Sequence, residues 1–494
     1  MRSILGCALA VALTAAPAPS QTGGAAPPPI PAHPRELVFP PLSFSLPDPK
    51  PLRHVLRCGA VAYLAEDREL PLVRLHGGLR GGGYLDPKGK EGLASLTGAL
   101  MRLGGTEKLG AKEFDERLEF LAAEVDCVIG DTTGSFGFDC LSKDLDEVLG
   151  LFSSMLRAPR FEEERVALVK RQTLDAMAER NDDAADVAAI EWGFLMREET
   201  HFENAYATKA SIEAIAREDL ARCRERLVHP RNMVVAVSGD FDAEAMIEKL
   251  EAAFADLAAR PFEPLPPVPA PREGPARGFH LVEKDVPQAQ VLIGGKGIRR
   301  DDPDAISFLV LNEILGGDSF TARLVRRIRS DEGLAYGVSS SFDPGVHYPG
   351  DYAIEFQTKS ASVAHGLAIV FEELRRLRTD PVPEAELAGA KSGLVEKFPA
   401  YFPSRFATLA TFAAEELSGR DPAYWSSWRE KVAAVTAEDV LRAARRIDLA
   451  AAAILVVGRR EDVERGDASR PEKVADFAPG GVRLRPLRDP MTMR

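Results

Sequence analysis

Two short stretches decide the fold: Met233-Val234-Val235-Ala236-Val237-Ser238-Gly239-Asp240-Phe241 and Ala451-Ala452-Ala453-Ile454-Leu455-Val456-Val457-Gly458-Arg459-Arg460. Each is a brief apolar, β-branched run bounded by turn or charged residues, which reads as a buried strand. A similar helix start precedes each: Ala216-Arg217-Glu218-Asp219-Leu220 before the first, Thr436-Ala437-Glu438-Asp439-Val440 before the second. Both matches sit at an offset of about 220 residues, the mark of an internal duplication. Thr436 is an N-cap residue with an acidic first turn, and Asp439 stands where a strict capping box has Glu or Gln.

Working outward, the earlier parts of the two halves match as well. A strand candidate at Val73–Gly78 precedes a helix over 92–105, and Val291–Gly295 precedes a helix over 307–317. Between the halves, residues 261–276 (PFEPLPPVPAPREGPA) are too proline-dense for a helix or central strand and read as a linker. The expected fold is α+β: two duplicated modules, each a mostly antiparallel sheet with helices packed on it. The modules are assigned to 52–260 and 277–480, followed by a tail over 481–494.

Composition narrows the function. The 494 residues carry 62 Lys+Arg against 75 Asp+Glu, a net charge of −13, which argues against a nucleic-acid binder, since a phosphate partner demands a basic face. Five cysteines, at 7, 58, 127, 140 and 223, form no C-x-x-C pair and no disulfide framework. Cys127 and Cys140 read either as a pair or as buried free thiols. Met1-Arg2, the apolar run Ile4–Ala16 and Ala18-Pro19-Ser20 make a signal-peptide pattern over 1–20, with cleavage before Gln21. Leu5-Gly6-Cys7 comes too early for a lipoprotein box. The expected location is periplasmic or secreted. A Pro-rich arm spans 21–51, and no apolar run is long enough to span a bilayer as an integral segment.

Two further strings carry a family resemblance. The first is Gly81-Gly82-Gly83-Tyr84-Leu85-Asp86-Pro87, followed by Gly92-Leu93-Ala94. The second is Leu315-Gly316-Gly317, then Arg323-Leu324, then Arg329-Ser330-Asp331-Glu332-Gly333-Leu334-Ala335-Tyr336. Together with the duplicated order, they make the chain resemble the pitrilysin/insulinase family of zinc peptidases, and most of all its processing-peptidase-like branch. The resemblance covers nearly everything after about residue 50 and implies two modules forming half of a clamshell.

It also implies an H-x-x-E-H zinc motif directly after the Gly-Leu-Ala segment. Here those positions read Ser95-Leu96-Thr97-Gly98-Ala99, so neither His nor the Glu is present. Ser95 is a poor zinc ligand, and Gly98 and Ala99 have no side-chain ligand atom. The family's third ligand, a downstream Glu, is met by Lys170-Arg171, whose charge would repel a cation. The eight His (33, 54, 76, 201, 229, 280, 347, 365) contain no i, i+4 pair. His76 reads as a polar strand edge and His201 as a solvated loop. No metal or cofactor is therefore assigned to this chain.

Arg329 and Tyr336 match the family's Arg and Tyr that reach from the second module to the substrate, with chemistry suited to an oxyanion. Without the resemblance, Arg329 would be read as pairing with Asp331 or Glu332 and Tyr336 as strand packing. Arg326 and Arg327 read as a solvated helix face, Gly81–Gly83 as a flexible loop without the G-K-[ST] of a phosphate loop, and Gly316-Gly317 as a left-handed helix cap. Three functions stand open. The chain is a zinc-less subunit that acts on a peptide substrate with an H-x-x-E-H partner bringing the zinc; or a non-catalytic scaffold or peptide-binding protein; or a peptidase using another site.

Overall fold

The computed structural model describes His33, Leu37, residues 44–317 and residues 320–494; the signal-peptide pattern and most of the Pro-rich arm lie outside them. Two six-stranded mixed sheets form the frame. The first is built from β1 (Arg53–Val55), β2 (Val61–Glu66), β3 (Leu72–Arg80), β4 (Glu124–Ile129), β5 (Thr133–Leu141) and β6 (Met233–Gly239). The second contains β7 (Gly278–Glu283), β8 (Ala289–Lys296), β9 (Val338–Phe342), β10 (Asp351–Thr358), β11 (Ala453–Gly458) and β12 (Arg483–Arg485).

The strand orders β1-β2-β6-β3-β5-β4 and β12-β7-β11-β8-β10-β9 correspond at five positions; the edge strands differ, β1 running antiparallel to β2 and β12 parallel to β7. The two stretches that opened the sequence reading are the equivalent central strands. β6 lies between parallel β2 and antiparallel β3; β11 lies between parallel β7 and antiparallel β8. Every residue of both strands is buried. The helix starts match too. Asp219 accepts from the Ala216 amide at 2.8 Å, and Asp439 accepts from the Thr436 amide at 2.9 Å while Thr436 Oγ1 accepts from the Asp439 amide at 3.2 Å. The shorter Asp therefore closes a full capping box, where the sequence suggested only a simple cap.

Strands that are apolar on both faces need cover on both faces. One face of each sheet takes helices of its own half; in the first half Phe114, Phe152 and Phe254 pack into that core. The other face takes a helix from the opposite half. Ala184–Met196, from the first half, lays Val187, Ala188, Leu195 and Met196 on Val282, Leu292, Leu455 and Val457. Arg405–Leu417, from the second half, lays Leu409, Phe412 and Ala413 on Tyr63, Ala65, Val234 and Ala236. Glu416 then accepts two bonds from Arg53, at 2.7 and 2.9 Å, and one from the Tyr63 hydroxyl at 2.8 Å. Residues 261–276 carry neither helix nor strand. Residues 481–494 return to the body: β12 pairs with β7, and Arg485 and Arg488 both bond the buried Glu191.

Several local readings are corrected. Gly81–Gly83 is not a loose loop. The Gly81 amide donates to Thr132 O, the Gly83 amide to Gly130 O and the Tyr84 amide to Asp131 O, at 2.9–3.0 Å. Gly316 is no left-handed cap, having φ −163°. It is glycine because Ser340 approaches so closely that a Cβ would meet its backbone N at 3.0 Å. Cys127 and Cys140 are buried free thiols. Cys127 sits opposite Phe136 on β5, four residues from Cys140 along that strand, or about 13 Å. His76 lies on the interior strand β3, not on an edge. His201 is buried, with Nε2 3.1 Å from Pro269 O and Nδ1 accepting from the Glu203 amide.

Candidate functional site

The degenerate motif lies on the helix Leu93–Leu103. Asp86 fixes the start of this helix, accepting from the Gly92 amide at 2.9 Å and the Ala94 amide at 3.0 Å. Burial nevertheless pushes the Asp86 carboxyl up to about 6, against the pull of those amides. Ser95 is exposed and faces a cleft of about 910 Å³, which Asp86, Asp131, His201, Glu203 and Arg272 also line. Burial and the Glu203 charge raise the Asp131 carboxyl as well. Among the described residues, no three His, Cys, Asp or Glu side chains converge as a metal set.

The position of the family's general base has been packed shut. Gly98 is buried, and a Cβ there would stand 2.7 Å from Ile129 N and 3.1 Å from the Val128 carbonyl carbon. Ala99 packs against the first core. On the helix Glu163–Ala178, Lys170 Nζ donates to Ile215 O at 2.5 Å and Glu213 O at 3.2 Å. It ties off the last carbonyls of the helix Lys209–Ala214, a structural use of the third-ligand position. Arg171 is exposed. These residues can stabilise helix ends; they cannot bind zinc.

The second-half positions look different. Arg329 lies in a π-helical turn, Val325–Asp331, and Tyr336 in the loop before β9. The Arg329 guanidinium carbon sits 4.7 Å from the Tyr336 ring centroid and 5.0 Å from that of Phe320. Tyr336 is 87% exposed and Phe320 is 70% exposed. Glu332 is engaged by His365 at 3.2 Å and Arg470 at 2.7 Å, and among the described residues no ion pair joins Arg329. Neither the surface ion pair nor the strand packing suggested by the residues alone is formed. Arg327 is also corrected: it bonds Glu372 and the buried Glu373, both at 2.8 Å, so only Arg326 is a solvated face.

Within the chain, no recorded contact among the described residues joins Arg329 or Tyr336 to Ser95, Gly98 or Ala99. Sequence reasoning missed the acidic cleft around Asp86 and Asp131, and also the charge network in which Arg323 bonds Glu386 at 2.6 and 2.8 Å beside Glu373. The Asp86-Pro87 pair ahead of an apolar helix was the one available signal for the cleft.

The insulinase (peptidase family M16) model matches residues 79–193, and the peptidase M16 inactive-domain model matches residues 214–394. The non-peptidase homolog YmxG of Helicobacter pylori is 27% identical over 339 residues, covering 68% of this chain and 76% of that protein. An uncharacterized zinc protease of Streptomyces coelicolor is 23% identical over 364 residues, covering 72% of this chain and 79% of that protein. Among solved structures, a peptidase M16 inactive domain from Pseudomonas fluorescens has the same fold with a TM-score of 0.74 and 23% identity, over 82% of this chain and 98% of that one. The periplasmic protease PqqL from Escherichia coli superimposes with a TM-score of 0.69 and 15% identity, over 86% of this chain and 49% of that one. The duplicated sheets, the motif helix with its ligands replaced and the two matching family models place the chain in the insulinase family, peptidase family M16.

Proposed function

We propose that the chain is a zinc-less subunit that works with a homologous H-x-x-E-H partner, the partner holding zinc and general base and this chain presenting Arg329 and Tyr336 to the peptide. The observation that carries this reading is the half-buried Arg329 stacked between the exposed Phe320 and Tyr336 rings. A cation with no ion pair among the described residues and an exposed phenol are the two donors an oxyanion formed at a peptide carbonyl needs. The first-half motif contributes wall, not chemistry. The name of the Helicobacter relative, a non-peptidase homolog, fits a member without its own peptidase centre.

The test is peptide turnover by the chain mixed with an H-x-x-E-H homologue from the same cell, with assembly followed by size. Tyr336→Phe and Arg329→Lys should each lower turnover by about 100- to 1000-fold while leaving assembly unchanged. Variants that assemble and cleave like the unaltered chain would make it a scaffold. We also infer export, supported by the residue pattern over 1–20 and by the fold shared with a periplasmic protease. No helix among the described residues is long and apolar enough to cross a membrane. Native protein should begin at Gln21, and a cytosolic form beginning at Met1 would refute export.

A further inference from the structure

A cavity in the second half, apart from both regions above, is built like a ligand site. It lies among the end of β8, the strands β9 and β10, the helix Ala305–Leu315 and the turn after the helix Ala437–Arg445, and encloses about 360 Å³. That volume is at the lower end of small-molecule pockets. Its wall is aromatic. Phe308 and Phe342 have ring centroids 5.5 Å apart, and Phe342 stacks on Tyr352 at 5.5 Å with the planes 14° apart.

Tyr352 is only 2% exposed, yet its hydroxyl has no hydrogen-bond partner among the described residues. Buried phenols almost always find one. Gly295 lets the ring lie close against the neighbouring strand: a Cβ there would come within 3.3 Å of the Tyr352 ring and 3.6 Å of its hydroxyl. Burial and the charge of Asp448 hold the phenol well above its usual range, so it remains a proton donor.

The mouth has the opposite character. Arg277 and Lys296 line it, are exposed and take part in no ion pair recorded among the described residues. The other charges there are committed. Arg446 bonds Asp302 and Asp304 and lies 5.4 Å over the Phe308 ring. Asp448 accepts from the Ala450 and Ala451 amides at 3.0 and 3.2 Å. The lining charges outside any recorded ion pair are thus Arg277, Lys296 and Asp448, two positive to one negative.

We propose that this cavity binds a tyrosine-like anion, its ring against Phe308 and Phe342, its phenol bonded to the Tyr352 hydroxyl and its carboxylate held by Arg277 and Lys296. A free aromatic amino-acid derivative and the C-terminal tyrosine of a peptide share this chemistry. The assignment does not depend on the roles of Arg329 and Tyr336.

The test is calorimetric titration of the full chain with N-acetyltyrosine, which should saturate at one site per chain. N-acetyltyrosinamide, which lacks the anion, should bind about 10-fold more weakly, as should N-acetyltyrosine to the Arg277→Ala/Lys296→Ala variant. N-acetylphenylalanine should bind about 5-fold more weakly to the unaltered chain and equally well to Tyr352→Phe, because the lost bond is the same one. A pentapeptide ending in tyrosine that binds more tightly than N-acetyltyrosine assigns the site to peptide termini; one that binds equally or less well assigns it to a free small molecule. Absence of saturable binding, indifference to the ligand's charge, or a tyrosine preference that survives in Tyr352→Phe would each overturn the proposal.

Discussion

Two positions that the family resemblance ties to one reaction have fared differently in this chain. On the first-half helix, the base position is a glycine pressed against the backbone of β4, and the third-ligand position is a lysine tied to two carbonyls. On the second-half turn, Arg329 is half-buried under the exposed Tyr336 ring, and among the described residues no ion pair engages it. Close packing fills the first site, so that the residues there now serve stability. Nothing fills the second, and an exposed tyrosine stacked on an arginine contributes little to holding the fold. Under the proposed function, the difference separates the half that contributes wall from the half that would contribute donors.

The largest effect expected from breaking this comparison is at Gly98. Gly98→Glu should destabilise the chain by about 3 kcal/mol, because backbone and not a flexible side chain blocks the new Cβ. Denaturant unfolding would measure it. The triple change Ser95→His/Gly98→Glu/Ala99→His should still bind no stoichiometric zinc by elemental analysis, since Lys170 and Arg171 leave the third ligand absent. A stable, zinc-loaded triple variant would mean that the first site is merely mutated and not closed. A smaller loss, about 2 kcal/mol, is expected for Lys170→Ala, which leaves the Glu213 and Ile215 carbonyls without their charged donor. The same unfolding curve would show it. The smallest effect belongs to Tyr336→Phe, within about 0.5 kcal/mol of the unaltered stability, because the side chain is 87% exposed. A large stability loss there would make Tyr336 a fold residue and remove the contrast.

Much of the fold was legible because the duplicated strands are short, β-branched and bounded by clear turn residues. The runs at 233–241 and 451–460 became the equivalent central strands β6 and β11. The exchange of helices between halves was not legible. An amphipathic helix shows that it has an apolar face but not which sheet that face meets, and Ala184–Met196 is apolar nearly all round. The replacement of the family's zinc-motif residues could be read directly from Ser95, Gly98 and Ala99. Its physical form could not, because the contact between Gly98 and Ile129 joins residues distant in sequence. His201 was misjudged for the same reason: its partner Pro269 lies in the linker, far along the chain.

The crossed helices have a consequence for how the molecule comes apart. Each half clasps the other as two hands do, so the Pro-rich connection between them is not what keeps them together. A protease nick between residues 261 and 276 would leave two pieces that travel as one through a sizing column and part only in denaturant. Neither piece made alone would be soluble, because each would leave one sheet face bare and its own donated helix without a bed. Heating should therefore unfold the two halves together, and a calorimetric scan with two separate transitions would show that the crossed helices do not couple them.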